Sequence, residues 1–191
     1  MRPTQAALIN ASRPATLVPT LGIVRLSSLT QVAESGDGTA GWVYTRTGTG
    51  DFTTSYASGA DKTFASSANG YVIMVYATGV PNGGLDTVST ANNCGSWQFG
   101  FYSSGIGNPY LYVQSGSFNN TTNGASVNAA AGDWLKFERS GTTVYVSVSK
   151  NSGNAWTLIH TFTGFSTAQL WPKLNFNAAA SIGPIYQQGL T

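Results

Sequence analysis

The chain has 191 residues, of which only 8 % are charged, and a formal net charge of +2, against roughly 25 % charged in ordinary soluble domains. Hydrophobic residues at 41 % and aromatics at 12 % are enough for a dense core, which excludes a disordered chain, and the length suits one β-rich domain with an appendage. The nine basic residues are scattered, which excludes the clustered Lys and Arg of a nucleic-acid face, and no apolar run approaches the roughly 20 residues of a membrane helix.

Residues 1 to 30 differ from the rest of the chain. Pro3, Pro14 and Pro19 interrupt any ordinary helix or strand, and short apolar groups lie between and after them, including Leu8, Ile9, Leu17 and Val18. A free linker is normally more polar, so this stretch is expected to be an extended arm that docks on another surface. Arg2, Arg13 and Arg25 occur there with no carboxylate before Glu34, a positive bias that favours an acidic protein surface as the anchor. The alternative is a frayed tail with one edge strand at 21–26. No continuous apolar stretch of the signal-peptide type opens the chain, so the expectation is a protein made in the cytosol that leaves the cell by another path, such as lysis, or stays there.

From Trp42 onward, short apolar runs alternate with Gly, Asn, Ser and Pro, the all-β pattern. Strands are expected near 42–46, 51–56, 71–78, 96–102, 109–114, 133–139, 142–149, 155–163, 170–177 and 182–187. The run 71–76 is apolar on both faces and predicts a central strand. Val144, Val146 and Val148 predict one apolar face, with Tyr145, Ser147 and Ser149 pointing the other way. Residues 80–86 read as a turn by their Pro-Asn-Gly chemistry, and 116–124 as a polar loop carrying Phe118. The sequons at Asn119 and Asn120 are what chance produces in a chain this rich in Asn and Thr.

Little in the chain is able to do acid-base chemistry. Paired glycosidase carboxyl groups stand about 5 Å apart in retaining enzymes and roughly 6.5 to 9.5 Å apart in inverting ones. Asp133 and Glu138 lie at opposite parities of one strand and face opposite sides of it, with Lys136 as the plain surface partner of Glu138. His160 is the only histidine and is expected to be structural. Cys94, the only cysteine, excludes a disulfide framework and is expected to be a small buried thiol. No metal site has enough ligands at usable spacing, and no cofactor is implied. Trp97, Phe99 and Phe101 share one parity and read as core. Tyr102, Asn108, Tyr110, Tyr112, Phe118, Asn119 and Asn120 remain as surface candidates, because aromatic rings stack on sugars while amides hydrogen-bond to them.

The order Asp133–Arg139, Gly141–Val148, Trp156–His160 and Leu170–Asn177 resembles the concanavalin A-like lectin/glucanase superfamily. That resemblance implies an antiparallel two-sheet jelly-roll sandwich over about residues 40 to 190, with a concave face or edge loops that bind carbohydrate. Members this rich in Gly, Ser, Thr and Asn resemble domains of bacteriophage tail fibres and capsid appendages. The Glu-x-Asp-x-(x)-Glu strand of the glucanases and the metal cluster of the legume lectins have no counterpart here. The expectation is therefore a non-enzymatic virion structural protein with an arm over 1–30 and a jelly roll over 31–191. It would be a homo-oligomer, by analogy a trimer, bound to capsid or tail proteins and to a host surface glycan, with no nucleic-acid or membrane partner. The alternatives are a polysaccharide hydrolase on the same fold and a free soluble lectin.

Overall fold

A computed structural model describes residues 21–49, 54–87, 97–103, 110–115, 122–128, 130–164 and 167–191. Every regular element among them is a strand. In chain order these are β1 (Gly22–Ile23), β2 (Leu26–Thr30), β3 (Val32–Asp37), β4 (Gly41–Arg46), β5 (Tyr56–Ala60), β6 (Gly70–Asp86) and β7 (Trp97–Ser103). They continue as β8 (Tyr110–Ser115), β9 (Thr122–Asn128), β10 (Trp134–Ser140), β11 (Thr143–Ser149), β12 (Thr157–Phe162) and β13 (Trp171–Gln188).

Two long strands organise the rest. β6 and β13 pair antiparallel along their lengths, from Trp171↔Asp86 to Gln188↔Tyr71, with a register shift between Phe176 and Ala180. On one side of that shift, the first half of β6 and the second half of β13 complete a sheet in the order β12-β11-β10-β6-β13-β4-β3, with β1 also on β13. On the other side, the remaining halves join β9-β8-β7-β6-β13-β5-β2. The two antiparallel sheets form a jelly-roll sandwich, as the resemblance implied.

The core lies between the sheets. Val72, Met74, Tyr76, Leu135, Phe137, Val144, Val146 and Ile182 of the first sheet and Leu26, Ala57, Leu85, Phe101, Leu174 and Phe176 of the second are all buried. Burying each of the larger apolar side chains contributes about 1.5 to 3 kcal/mol. The layers touch where Phe101 of β7 stacks on Phe137 of β10, with ring centroids 6.2 Å apart. Gly83 is required beside them, because a Cβ there would sit 2.7 Å from the Phe101 ring and 2.8 Å from the Met74 sulfur.

Three polar devices hold the ends together. The buried Arg139 donates to the carbonyls of Ala65, Ala68 and Ala168 at 2.5, 2.6 and 2.8 Å, tying two connecting segments to β10. Burial lowers its pKa, yet a guanidinium keeps its charge in proteins, so those three acceptors compensate its desolvation. Lys173 and Asp86 form a buried ion pair at 2.9 Å across β13 and β6. Burial lowers the Lys173 pKa more than its partner raises it, which marks a pair whose desolvation is expensive. Lys150 pairs with Asp133, whose carboxylate also accepts the Ala130 N–H at 2.7 Å.

Several expectations need correction. Residues 80–86 are no turn: they continue β6, and Gly83 to Asp86 lie between β13 and β7. Pairing with β7 begins only at Gly83, so the missing N–H of Pro81 costs no bond on that flank. The strands expected at 170–177 and 182–187 are one element, β13. β3 and β9 were not anticipated, being built largely of Ser, Gly, Asn, Asp and Thr. Residues 22–30 belong to the sandwich rather than to an arm: β1 pairs with β13, β2 pairs with β5, and Val24 and Leu26 are fully buried.

Candidate functional site

The outer face of the first sheet gathers side chains from three strands in register. β10 is central to this arrangement, with Lys136 opposite Ile73 of β6, and Glu138 opposite Tyr71. Since Val72, Met74, Leu135 and Phe137 point to the core, alternation sends Tyr71, Ile73, Trp134, Lys136 and Glu138 outward. Tyr186 of β13 stands opposite Ile73, and its ring meets that of Trp134 at 5.3 Å.

A loop then walls this face. On β11, Ser147 and Ser149 stand opposite Lys136 and Trp134 and share their outward side, but they are buried. They point away from the valine face as expected, but residues 150–156 fold back over the sheet and cover them. The Ser149 hydroxyl donates to Asn151 Oδ1 at 2.9 Å and accepts the Gly153 N–H at 2.9 Å. Asn151 Oδ1 in turn accepts the Ala155 N–H at 3.0 Å, and the Asn151 carbonyl accepts from the Asn154 amide at 2.8 Å. Ser152 and Gly153 take left-handed backbone conformations, φ 57° and 84°. At Gly153 a Cβ would lie 3.0 Å from the Trp134 ring, so glycine lets the loop seat on that indole.

The result is a groove of ≈ 170 Å³ lined by Leu21, Tyr71, Ile73, Trp134, Lys136, Ser152, Gly153, Asn154 and Trp156. Its walls are aromatic, and its only charged lining residue among those described is Lys136. The Lys136 ammonium lies 4.8 Å from the Trp156 ring centroid and 5.5 Å from that of Tyr71, and pairs with Glu138 at 2.8 Å as the sequence suggested. Burial, followed by the nearby Glu138 charge, raises the Tyr71 pKa, which keeps that phenol neutral and able to donate.

Among the described residues no carboxylate or imidazole lines the groove, so a glycosidase acid-base pair is missing from it. Each described carboxylate has a partner of its own. Glu34 pairs with Arg25, Asp37 accepts the Thr39 and Ala40 N–H groups at 2.7 and 2.8 Å, and Asp61 accepts the Arg25 N–H at 2.7 Å. Asp86, Asp133 and Glu138 each hold a lysine, and Asp51 lies outside the described residues. His160 is half-buried with its ring 4.4 Å from that of Phe162. A register shift between Val146 and Ser147 turns Ile159 toward the core and leaves Leu158 exposed. Among the described residues no group of three or more His, Cys, Asp and Glu is placed to hold a metal.

The residues expected to bind ligand lie elsewhere. Tyr102 of β7 and Tyr112 of β8 are register partners, and Tyr110 pairs with Asn128 of β9, so the fold brings these three positions together on the second sheet. Asn108, Phe118, Asn119 and Asn120 are outside the described residues, as are Cys94 and the arm positions Arg2, Leu8, Ile9, Arg13, Leu17 and Val18. Arg25, expected to anchor an arm, is a sandwich residue. It pairs with Glu34 and lies 4.3 Å over the Trp42 ring, which neutralises its charge locally. Of the groove residues, sequence reasoning passed over Trp134, Trp156 and Tyr71. The signal available was the outward parity of Trp134-x-Lys136-x-Glu138, followed one hairpin later by the Asn-Ser-Gly-Asn turn.

No protein-family model matches the chain, and no curated protein matches it in sequence. Solved structures do match it in shape. The TRIM65 PSpry domain aligns with a TM-score of 0.57 at 10% identity, over 88% of this chain and 91% of that one. The exoplasmic/lumenal domain of VIP36, in its form bound to Ca2+ and Man3GlcNAc, aligns with a TM-score of 0.52 at 8% identity, over 88% of this chain and 84% of that one. Stonustoxin aligns with a TM-score of 0.54 at 15% identity, over 90% of this chain but 27% of its own. At such identities the likeness is one of architecture: the chain has the lectin-like β-sandwich fold.

Proposed function

We propose that this chain is a non-catalytic carbohydrate-binding module of a virion, most simply a capsid or tail appendage, anchored through its N-terminal segment and assembled as a trimer. The observation that carries the binding part is the groove itself. Two indoles and a phenol wall a cleft with amide and hydroxyl groups at its rim and no carboxylate among its described lining residues. Aromatic faces cover the apolar face of a sugar ring, while Asn154, Ser152 and the Tyr71 hydroxyl are suited to its hydroxyl groups. The VIP36 domain, which shares the fold, was solved with a mannose-containing oligosaccharide, and this supports the class of ligand. The positions Tyr102, Tyr110 and Tyr112, neighbours by strand register on the second sheet, are a second candidate for the same class. Low charge, Gly, Ser, Thr and Asn richness and a proline-interrupted leader support the virion setting. A small site of modest affinity would gain from three copies on one particle.

The test is binding of the wild type and of Trp156→Ala to an array of bacterial surface oligosaccharides. The substitution removes one wall and is expected to weaken the best ligand about tenfold or more, without altering the melting temperature by more than a few degrees. Equal binding by both proteins would overturn the assignment of this groove.

A further inference from the structure

Resting on that carbohydrate-binding reading, we infer that the groove selects acidic saccharides, with the sugar carboxylate paired to the Lys136 ammonium. Among the described residues the lining carries one charged group, the Lys136 ammonium, whose partner Glu138 stands outside the lining, so a cationic donor distinguishes this groove from a neutral aromatic shelf. The Lys136 side chain is 16% exposed and is held between Trp156 and Tyr71, whereas Glu138 is 41% exposed and lies outside the lining. An ammonium has three donors, and Glu138 takes up one side of it. What remains points to a ligand acceptor, and an ionised one adds an ion pair to a hydrogen bond that the ammonium already makes charge-assisted. The rings on either side keep the ammonium in place and partly dehydrated, where such a bond is least screened. The groove, at ≈ 170 Å³, is smaller than the roughly 300 Å³ of a drug-sized site and suits a single sugar ring that bears its carboxylate directly.

The experiment uses the full chain on an array of neutral and acidic oligosaccharides, followed by titration of an oligogalacturonide and of the same oligomer methyl-esterified. The expected result is preference for the acidic members, with affinity about tenfold lower for the ester and falling as salt is raised. Lys136→Met should abolish the preference, so that acid and ester bind with the same affinity. Lys136→Arg should retain it, and Glu138→Gln should strengthen acidic binding by removing the competing carboxylate. A thermal melt of each variant separates lost binding from lost folding. Equal binding of acid and ester, or preference for neutral sugars, overturns this inference and leaves the carbohydrate reading standing. No binding to any member overturns both.

Discussion

Tyr44 shows how one buried hydroxyl couples a strand edge to pH. It is fully buried, and its oxygen accepts the Leu26 N–H at 2.6 Å, so it satisfies a backbone donor of β2 from across the sandwich. Burial, the largest cause, pushes its pKa up from 10.0 to about 12. A folded-state pKa above the unfolded value means stability that is fully present below pH 10 and is lost as pH rises toward about 12. Tyr44→Phe should therefore cost about 1 to 2 kcal/mol at neutral pH, because the Leu26 N–H loses its acceptor. The difference from wild type should then shrink as pH climbs through that window. Urea unfolding midpoints measured from pH 8 upward check this, and parallel curves for the two proteins would contradict it. At the same scale Arg25 is a warning about charge counts. Three arginines before the first acid look like a basic arm in sequence, yet Glu34 lies beside Arg25 across a strand connection that linear spacing does not announce.

Among the elements, β6 carries the most information and was the hardest to delimit. Its first half was legible, because Val72, Met74 and Tyr76 alternate with Tyr71, Ile73 and Val75 in a run with no turn residue. Its second half, through Pro81-Asn82-Gly83-Gly84, has the local chemistry of a turn and the tertiary role of a central strand. Local preference lost because Gly83, lacking a side chain, admits the Phe101 ring where β6 and β7 pair. The pivot between the two sheets is Gly79, at φ 80°, where a Cβ would lie 2.0 Å from the Ala179 carbonyl oxygen. Gly79→Ala should cost about 3 kcal/mol or more from combined strain and overlap. Gly141→Ala is the control: its φ is 59° but nothing lies within 4 Å of the added Cβ, and it should cost about 1 kcal/mol. Equal losses in a denaturant titration would remove Gly79 from its role as pivot. Of the loop at 150–156, residues 150–154 were seen only as a gap between strands, and 155–156 were read as the start of the next strand, which begins at Thr157. The loop's value as the wall of a groove depends on Ser149 being turned outward beneath it, a consequence of β11 register rather than of the loop's own residues.

Taken as a whole, the molecule is two sheets sharing β6 and β13, with the groove on the outer face of one and the paired tyrosine positions on the other. Residues 1–20 precede β1, whose start at Gly22 places Leu21 on the groove rim. Under the proposed virion role, removing residues 1–20 should leave the melting temperature and oligosaccharide binding intact but abolish incorporation into particles. Purified particles assembled with the shortened chain provide the measurement, and normal incorporation would refute the anchor. By itself the sequence determined the all-β class, most strand positions from Trp42 onward, the Lys136–Glu138 pairing and the poverty of acid-base groups, because alternation and composition are local and survive without tertiary context. Only the tertiary structure decided that 80–86 is strand, that 22–30 is sandwich, and that Tyr71, Trp134 and Trp156 enclose one cleft. Those outcomes depend on which strands become neighbours and which face a loop covers, and such long-range choices are set by burial of the whole core rather than by any residue's own preference.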